Sequence, residues 1–559
     1  MQDCGVSAFL ETFVLIESSG IFSNFGAESP QPRKAPDVGG NITKKRKKLN
    51  NKNKKMKKIY KLFLVVLSMQ VYAQDGALDT SFGIGGKVIT SINNDERANS
   101  LVIQSDGKIV IAGYTFSSIS GNDIACVRYN TDGSIDNTFG LNGVATFDIQ
   151  SGSDDKSTSI DIQSDGKLVL CGFSDDGSDK SSLLMRLNIN GTLDTTFGSS
   201  GKVLTNFTTT GISIRQDEYR VVKVHPLTGN IVAAGTSFST STNSRMIIAR
   251  YTSVGILDST FATGGKFISL PNTLVSSTYL ASIEDLAIKS NGKISIVGNS
   301  LGYFYLGRLN SNGTMDTSFS SDGFNDNFQG RMFGIELNND DSIYFTGDII
   351  PLPQTQAYTG YIDGIGGGGS IAATTYDFGT TFNAYTYAVE KDNDGKLLVG
   401  GYLQDTSTGQ NSFLIGRLLA NRTRDTSFGN NGFVTTAFTS NDSRAFDLKI
   451  QPNGRIVLAG ISGGKIALAR YINGALSATE FSNNKKSFKI YPNPTSTVLN
   501  INTSETIIAG TEYRIIDLSS RLLCTGILNE QGTIAVDNLK SGMYIISIDG
   551  FQSIKFTKN

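Results

Sequence analysis

The chain has 559 residues, with 61 Gly, 10 Pro, four Cys, one His and no Trp. Its 50 basic and 50 acidic residues cancel, but 13 of the basic and 5 of the acidic ones precede residue 74, so the remainder carries a net charge of −8. A surface of that sign lacks the basic patches that phosphate contacts require, so no nucleic-acid partner is expected. The length and glycine content suit a large repeat domain of short strands and tight turns.

The first 73 residues divide into two segments that precede the folded protein. Residues 1–55 have no hydrophobic periodicity and end in basic runs; a nuclear-localisation signal is the alternative interpretation of KKRKK. A signal peptide follows at 56–73, with a lysine-rich start, an apolar core at Leu62–Val71 and cleavage between Ala73 and Gln74. Ten apolar residues cannot span a bilayer, which takes about twenty, so no transmembrane segment is expected. We expect 1–55 to be a disordered, non-native upstream extension and the mature chain to be exported.

One six-residue motif recurs through most of the remaining chain. LDTSFG returns as IDNTFG, LDTTFG, LDSTFA, MDTSFS and RDTSFG, and the copies start at Leu78, Ile135, Leu193, Leu257, Met315 and Arg424. The intervals are 57, 58, 64, 58 and 109 residues, the last of which spans about two units. Repeats of this period indicate a propeller, a solenoid or an array.

Each unit contains four candidate strands. A short apolar run such as KVIT is followed by a hairpin and by a strand that ends in Arg. The hairpins turn at Asp-Gly, Asn-Gly or similar pairs, and their seven centres are Gly107, Gly166, Gly229, Gly292, Asp341, Gly395 and Gly454. The pattern predicts an all-β fold, a seven-bladed β-propeller over 74–481, with an open β-solenoid as the alternative. Because a KVIT-type strand precedes the first hairpin and none follows the last Arg strand, we expect Gly86–Ile92 to complete the last blade.

These motifs resemble a known family. The L-D-x-[ST]-F-G…G-K-V motif, the S-D-G-K-I hairpin and the R-Y-N-x-D-G-x-[LI]-D link are similar to the bacterial delta-60 repeat, a propeller-like repeat of surface and secreted proteins, over about 78–476. The resemblance implies no single activity, because folds of this kind host unrelated functions.

Residues that recur in every unit are interpreted first as scaffold. The Asp of each motif and the Arg that ends each third strand would hold the turn that enters the blade; a charged ring around the channel is the alternative. The links NTDGSID, NINGTLD and NSNGTMD faintly resemble calcium loops but lack the closing Glu, so no cofactor is predicted and Ca²⁺ stays an open alternative. His225 is at a hairpin tip, and Cys126 and Cys171 occupy apolar positions of other units. We predict no catalytic or metal-binding residues.

The irregular unit is the better candidate for binding. Residues 348–383 contain two prolines, a four-glycine run and three tyrosines, Tyr358, Tyr361 and Tyr376. Loops on a rigid scaffold often carry binding, and Tyr supplies stacking area. We therefore predict a binding loop here, with a decayed repeat as the alternative.

The end of the chain has a different pattern. A linker at 482–487 precedes several short strands in 488–559, enough for a small Ig-like β-sandwich. This segment resembles the type A C-terminal sorting domain of type IX secretion, on the residues Tyr491, Pro492, Asn493, Pro494, Gly542, Tyr544 and Lys555. Ser520 stands where Gly is usual in that family. The resemblance implies the type IX translocon and sorting machinery as partners, removal of the domain, and release or anchoring at the outer-membrane surface.

Three functions are compatible with these features. The first is a secreted or cell-surface module that binds or adheres to a glycan or a protein. The second is a polysaccharide hydrolase or lyase that uses carboxylates on a propeller. The third is a structural surface component. The lack of a His in a pocket argues against many hydrolases, and we expect binding rather than catalysis.

Overall fold

The computed structural model describes residues 74–93, 95–207, 216–240, 243–269, 279–338, 340–349, 354–362, 372–439, 442–474, 488–502, 511–517, 522–529, 532–548 and 554–559. The predicted extension 1–55, signal peptide 56–73 and linker 482–487 lie outside these ranges. All regular structure in the described ranges is β-strand. Within them, we find no helix of the length and hydrophobicity needed to cross a membrane.

Strand β1 (Lys87–Thr90) opens the described structure and is followed by antiparallel sets of four consecutive strands. The first four sets are β2 (Glu96–Ile103), β3 (Ile109–Ser117), β4 (Gly121–Tyr129), β5 (Val144–Phe147); β6 (Asp154–Ile162), β7 (Leu168–Asp175), β8 (Lys180–Leu187), β9 (Lys202–Thr205); β10 (Gln216–Val224), β11 (Ile231–Thr240), β12 (Asn243–Tyr251), β13 (Lys266–Ser269); β14 (Tyr279–Ile288), β15 (Ile294–Ser300), β16 (Tyr303–Leu309) and β17 (Phe324–Gln329).

The remaining sets repeat this order with one change. They are β18 (Arg331–Leu337), β19 (Ile343–Ile349), β20 (Gln356–Ile362), β21 (Ala372–Tyr376); β22 (Phe382–Lys391), β23 (Leu397–Asp405), β24 (Asn411–Leu418), β25 (Phe433–Thr436); and β26 (Ser443–Ile450), β27 (Ile456–Ser462) and β28 (Lys465–Tyr471). The last set has only three strands of its own, and β1 is its fourth. Lys87 pairs with Ala469 and Thr90 with Ile466 in antiparallel register. The expected closure through Gly86–Ile92 is therefore confirmed.

The sets are arranged as a ring. The first strand of each set, which we call the inner strand, contacts the inner strands of both neighbouring sets, and the inner strand of the seventh set contacts that of the first. Each set also packs its sheet against the next one, so apolar clusters lie between consecutive sheets. This cyclic packing is that of a propeller rather than of an open solenoid. The all-β propeller class is confirmed; the count of seven blades stays a prediction, which these seven sets support.

The repeated Asp and Arg residues form the scaffold. In six units the Arg Nε donates to an oxygen of the motif Asp at 2.7–3.1 Å, and the guanidinium lies 4.6–4.8 Å from the centre of the motif Phe ring. The pairs are Arg128–Asp136, Arg186–Asp194, Arg250–Asp258, Arg308–Asp316, Arg417–Asp425 and Arg470–Asp79. Burial opposes ionisation of Asp136, but hydrogen bonds from Thr138 and Lys108 and the Arg128 charge keep its pKa well below the usual value. The scaffold interpretation is thus confirmed.

The fifth unit replaces the arginine with tyrosines. Tyr361 occupies the register position that Arg has in the other units, since it pairs with Tyr344 as Arg128 pairs with Val110. In four units the guanidinium donates to a carbonyl of the turn in the next unit. In the fifth unit the hydroxyls of Tyr344 and Tyr376 donate to carbonyls of that turn, at 3.1 and 2.8 Å. The unit therefore keeps its contact to the next blade with neutral donors.

The C-terminal segment forms two sheets of its own. One contains β29 (Lys489–Tyr491), β30 (Val498–Asn502) and β33 (Thr533–Ala535), and the other β31 (Glu512–Asp517), β32 (Leu522–Ile527), β34 (Gly542–Ile548) and β35 (Ile554–Lys558). Leu499, Ile515, Ile546 and Phe556 are buried together in one apolar cluster. Two small antiparallel sheets around one core match the sandwich predicted from the sequence.

Candidate functional site at the ring axis

Every inner strand has a bulge at the same place. The register breaks between Ala98 and Ser100 in the first set and at the equivalent position in each of the others. A bulge re-aims one side chain and is over-represented near functional sites. The seven half-buried bulge residues, one from each unit, are Asn99, Thr158, Arg220, Glu284, Phe333, Tyr387 and Phe446.

Aromatic side chains occupy one half of this row. Phe333 and Tyr387 have ring centres 4.7 Å apart, and Phe446 meets Tyr387 edge to face at 5.7 Å. Tyr385 and Tyr402 stack at 4.6 Å beside them, with Tyr402 6.0 Å from Tyr387. We call these five residues, contributed by three consecutive sets, the aromatic arc. Burial raises the pKa of both Tyr387 and Tyr402, so their hydroxyls are neutral at physiological pH.

Polar side chains occupy the other half. Arg220 and Glu284 form a bidentate ion pair at 2.6 and 2.7 Å. Asn99 and Thr158 each donate to a backbone carbonyl of the next inner strand, at 2.7 and 2.8 Å. We call these four residues the polar arc. The seven bulge residues, which we call the bulge row and which mark one rim of the ring axis, are therefore divided into an apolar stacking half and a hydrogen-bonding half.

A charged row lies further along the same strands. Lys449 and Glu390 approach to 3.4 Å, and Asp285 accepts the backbone N–H of the next inner strand at 3.0 Å. Burial, followed by the charge of Glu390, raises the pKa of Glu336 from its usual 4.5 to about 7. Burial opposes the charge on Lys449, but the surrounding carboxylates raise its pKa above the usual value. Glu336 thus stays largely protonated below neutral pH, while Glu390 is paired with Lys449.

The three tyrosines of the predicted binding loop lie in strands rather than in a loop. Tyr358 and Tyr361 belong to β20 and Tyr376 to β21, and Tyr358 and Tyr376 are only 6% and 2% exposed. The unit keeps its four strands despite its irregular sequence, and the rings fill the core between neighbouring sheets. Residues 363–371 lie outside the described ranges, so binding by that part of the loop stays a prediction.

His225 and the cysteines occupy structural positions. His225 Nδ1 accepts the backbone N–H groups of Leu227 and Thr228 at 3.1 and 3.2 Å, which caps its own turn. His225 borders a cavity of about 370 Å³ beside the motif residue Asp258. In other units a Lys forms an ion pair with the motif Asp, as Lys108 does with Asp136, and Asn230 stands at that Lys position here. Cys126 and Cys171 are buried as free thiols, as predicted.

The links that resemble calcium loops use their oxygens within the turn. Asp132 Oδ1 accepts both the backbone N–H and the hydroxyl of Ser134. Elsewhere, the carboxylates of Asp123, Asp148 and Asp155 offer three oxygens within 4.8 Å of one another, between the first two sets. Asp155 already accepts Ile149 N–H at 2.6 Å and the Ser153 hydroxyl at 2.7 Å. A role for Ca²⁺ stays an open alternative, which a calorimetric titration with the ion tests.

The residues of the sorting motif meet at one edge of the C-terminal sandwich. Asn493 accepts the backbone N–H of Thr557 at 2.9 Å, so the Tyr491–Pro494 turn is fixed to the last strand. Tyr491 is 52% exposed and Lys555 is exposed on β35, whereas Tyr544 is buried and donates to the Lys540 carbonyl at 2.7 Å. The fold thus assembles three separated sequence blocks into one surface.

The bulge row was not found from the sequence. Its signal is present, because the hairpin centres align the segments RANSL, KSTSI, EYRVV, SIEDL, RMFGI, YTYAV and RAFDL, whose third residue is the bulge residue. That position differs in character among the units, from Asn to Phe. Only the ring topology shows that the variable positions of all units face one axis.

Comparison with solved structures gives propellers of low similarity. A polysaccharide lyase, Uly1, is 11% identical over 73% of this chain and 93% of its own, with a TM-score of 0.39. Drosophila Semaphorin 2a is 8% identical over 88% and 99%, with a TM-score of 0.39, and a gluconolactonase of Xanthomonas campestris is 11% identical over 72% and 92%, with a TM-score of 0.31. No curated protein sequence matches the chain. At these scores the likeness carries no argument about function.

Two family models match the chain. The model described as a domain of unknown function (DUF5122) beta-propeller matches residues 104–139, 163–197, 228–261, 289–319 and 393–428. The model of the secretion system C-terminal sorting domain matches residues 489–559. Both resemblances drawn from the motifs are confirmed, and the sorting domain indicates export to the cell surface or the medium. The chain therefore carries DUF5122 β-propeller repeats followed by a type IX secretion C-terminal sorting domain.

Proposed function

We propose that this exported propeller is a binding module whose ligand is a glycan, taken at the rim of the ring axis that carries the bulge row. The observation that supports the proposal is the division of that rim. The aromatic arc and the polar arc face one axis from opposite sides, and every one of their bulge residues comes from a position where the repeats differ.

The chemistry of a sugar fits such a divided rim. A pyranose has an apolar face of C–H groups and an edge of hydroxyls, so it stacks on aromatic rings while it hydrogen-bonds at its periphery. Tyr and Phe supply large contact area at small entropic cost, and a few placed polar groups then fix orientation. Tyr387 and Phe446 would stack on the sugar face, and Asn99 and Glu284 would meet its hydroxyls. The chain has no Trp, so Tyr and Phe are its stacking residues.

A glycan array probed with residues 74–559 tests the proposal. We expect selective binding, and we expect Tyr387→Ala and Phe446→Ala to weaken it by about tenfold or more, because each removes a stacking ring worth about 1–2 kcal/mol. Tyr303→Ala is the matched control, since Tyr303 is a 42% exposed aromatic residue of β16, the third strand of its set. Binding that is unchanged in both axial variants would contradict the site. A chain that binds no glycan but captures a protein through the same residues would transfer the site to a protein ligand.

A polysaccharide hydrolase is the second candidate, and Glu336 supports it. General acids in glycosidases are carboxyl groups with raised pKa values, paired with an ionised carboxylate. Glu336 and Glu390 hold equivalent positions on adjacent inner strands; the pKa of Glu336 is raised, and Glu390 lies 3.4 Å from Lys449. If the chain is a hydrolase, Glu336→Gln abolishes the release of reducing sugar and leaves binding intact. Absence of release by the wild-type chain across the polysaccharides that it binds would reject this candidate.

A further inference from the structure

The aromatic arc carries one more positive charge than negative charge. Three guanidinium groups lie against it: Arg97 over Phe446, Arg331 5.6 Å from the ring of Phe333, and Arg444 5.9 Å from that of Tyr402. Two of them are paired, Arg331 with Asp348 at 3.0 Å and Arg444 with Asp442 at 2.6 Å. The third, Arg97, has no carboxylate partner in the described part of the chain.

The contacts of Arg97 are consistent with a ligand site. Its guanidinium carbon lies 4.0 Å from the centre of the Phe446 ring, so the aromatic ring holds the charged group at the arc. Its Nε is shielded from solvent and has no hydrogen-bond acceptor among the described residues. A shielded N–H without an acceptor is costly, and natural proteins retain few such groups. Other cations on the axial side differ: Lys156 pairs with Asp154 at 3.0 Å, and Arg220 with Glu284.

The missing partner is an anion that a planar fork can hold. A guanidinium binds a carboxylate through two parallel N–H···O bonds, which the Nη groups of Arg97 would form. An acid group on a sugar bound at the aromatic arc would meet the guanidinium of Arg97, which lies over Phe446. The two other arginines of the arc are already paired with carboxylates.

We propose that the glycan bound at the axis is acidic, a uronic-acid polymer, and that Arg97 binds the carboxylate of the sugar that stacks on the aromatic arc. This inference rests on the proposed glycan-binding function and specifies the class of glycan. Asp348 and Asp442 hold their own arginines in place, so they shape the arc rather than contact the acid.

Calorimetry with tetragalacturonate and with its neutral methyl ester tests the proposal on residues 74–559. We expect the acid to bind about tenfold or more tightly than the ester, as a charge-assisted hydrogen-bond pair would give, and the difference to shrink at high salt. Arg97→Gln should abolish the preference, so that acid and ester bind with equal affinity, and Arg97→Lys should keep only part of it. Lys156→Gln is the matched control, and a thermal melt of each variant shows that it is folded.

The outcomes separate the two proposals. Equal affinity for acid and ester, or an acid preference that survives Arg97→Gln, overturns the acidic-glycan inference but leaves glycan binding intact. Stronger binding of a sulfated oligosaccharide than of the uronate would also overturn the carboxylate assignment. If the acid is not bound at all, the inference fails by itself; the proposed function fails only when the neutral glycans of the array are unbound as well.

Discussion

Closure of the ring by the N-terminal segment is tested most directly at Phe82. This residue belongs to the first LDTSFG motif, lies before β1 and is 0% exposed. It packs in the cluster between the first and seventh sets with Tyr129 and Leu468, and the Arg470 guanidinium lies 4.6 Å from the centre of its ring. Truncating a fully buried Phe to Ala costs about 3–5 kcal/mol. We therefore expect Phe82→Ala to lower the free energy of unfolding by about that amount.

Phe139 provides the matched control, because it is the same motif residue in the interior of the repeat array. It is 0% exposed and lies 4.8 Å from the Arg128 guanidinium. Denaturant unfolding of residues 74–559, followed by far-ultraviolet circular dichroism, compares Phe82→Ala with Phe139→Ala. The comparison assumes that the unfolding free energy depends equally on denaturant concentration in both variants. If the ring closes through β1, the two substitutions cost similar amounts. A loss below about 0.5 kcal/mol for Phe82→Ala beside several for Phe139→Ala would refute the closure. Deletion of 78–92 should likewise lower the melting temperature of the ring.

Three further predictions concern protonation, thiols and export. The folded state holds the Glu336 proton more tightly than the unfolded chain does, so the unfolding free energy should fall as the pH rises from about 4.5 to about 7. Glu336→Gln should remove that part of the pH dependence in thermal melts. Burial raises the pKa of Cys126 and Cys171, so these thiols should not react in the folded protein. Ellman's reagent should titrate only Cys524 in native 74–559 and all three thiols after unfolding. Two or more reactive native thiols would contradict this burial. A periplasmic reporter fused to residues 482–559 should reach the cell surface, and its retention in the periplasm would count against the sorting function.

The features predicted correctly from the sequence are those that every unit needs. Asp-Gly turns between apolar runs specify a hairpin by local physics alone, so the strand sets follow from the sequence. Asp136 and Arg128 have counterparts in five other units, and such recurrence indicates scaffold before any contact is known. The pairing of β1 with β28 was deducible as well, since one strand was left over at the start and one was missing at the end.

The candidate site was not predicted because it depends on topology. Phe446 and Arg97 are 349 positions apart in the chain, and they meet only because the ring brings the seventh set against the first. The irregular fifth unit drew attention to Tyr358 and Tyr376 instead. A decayed repeat must still fill the same core volume, and large aromatic residues do so, which is why these two tyrosines are buried rather than presented to a ligand.

The distribution of charge distinguishes the scaffold positions from the bulge residues. Each motif Asp, such as Asp194, is neutralised within the scaffold by an Arg and in most units by a second cation, so the recurring charges have no capacity left for a ligand. The side chains of the bulge row are free to differ, because no unit needs any particular residue there for its own folding. If the bulge row bound no specific ligand, we would expect similar small polar side chains in all seven units. Instead, aromatic residues occupy three consecutive units and a charged pair occupies two others. Arg97, which has no carboxylate partner among the described residues, lies at the boundary of the aromatic half, and this asymmetry is the one that the proposed amphipathic, acidic ligand would require.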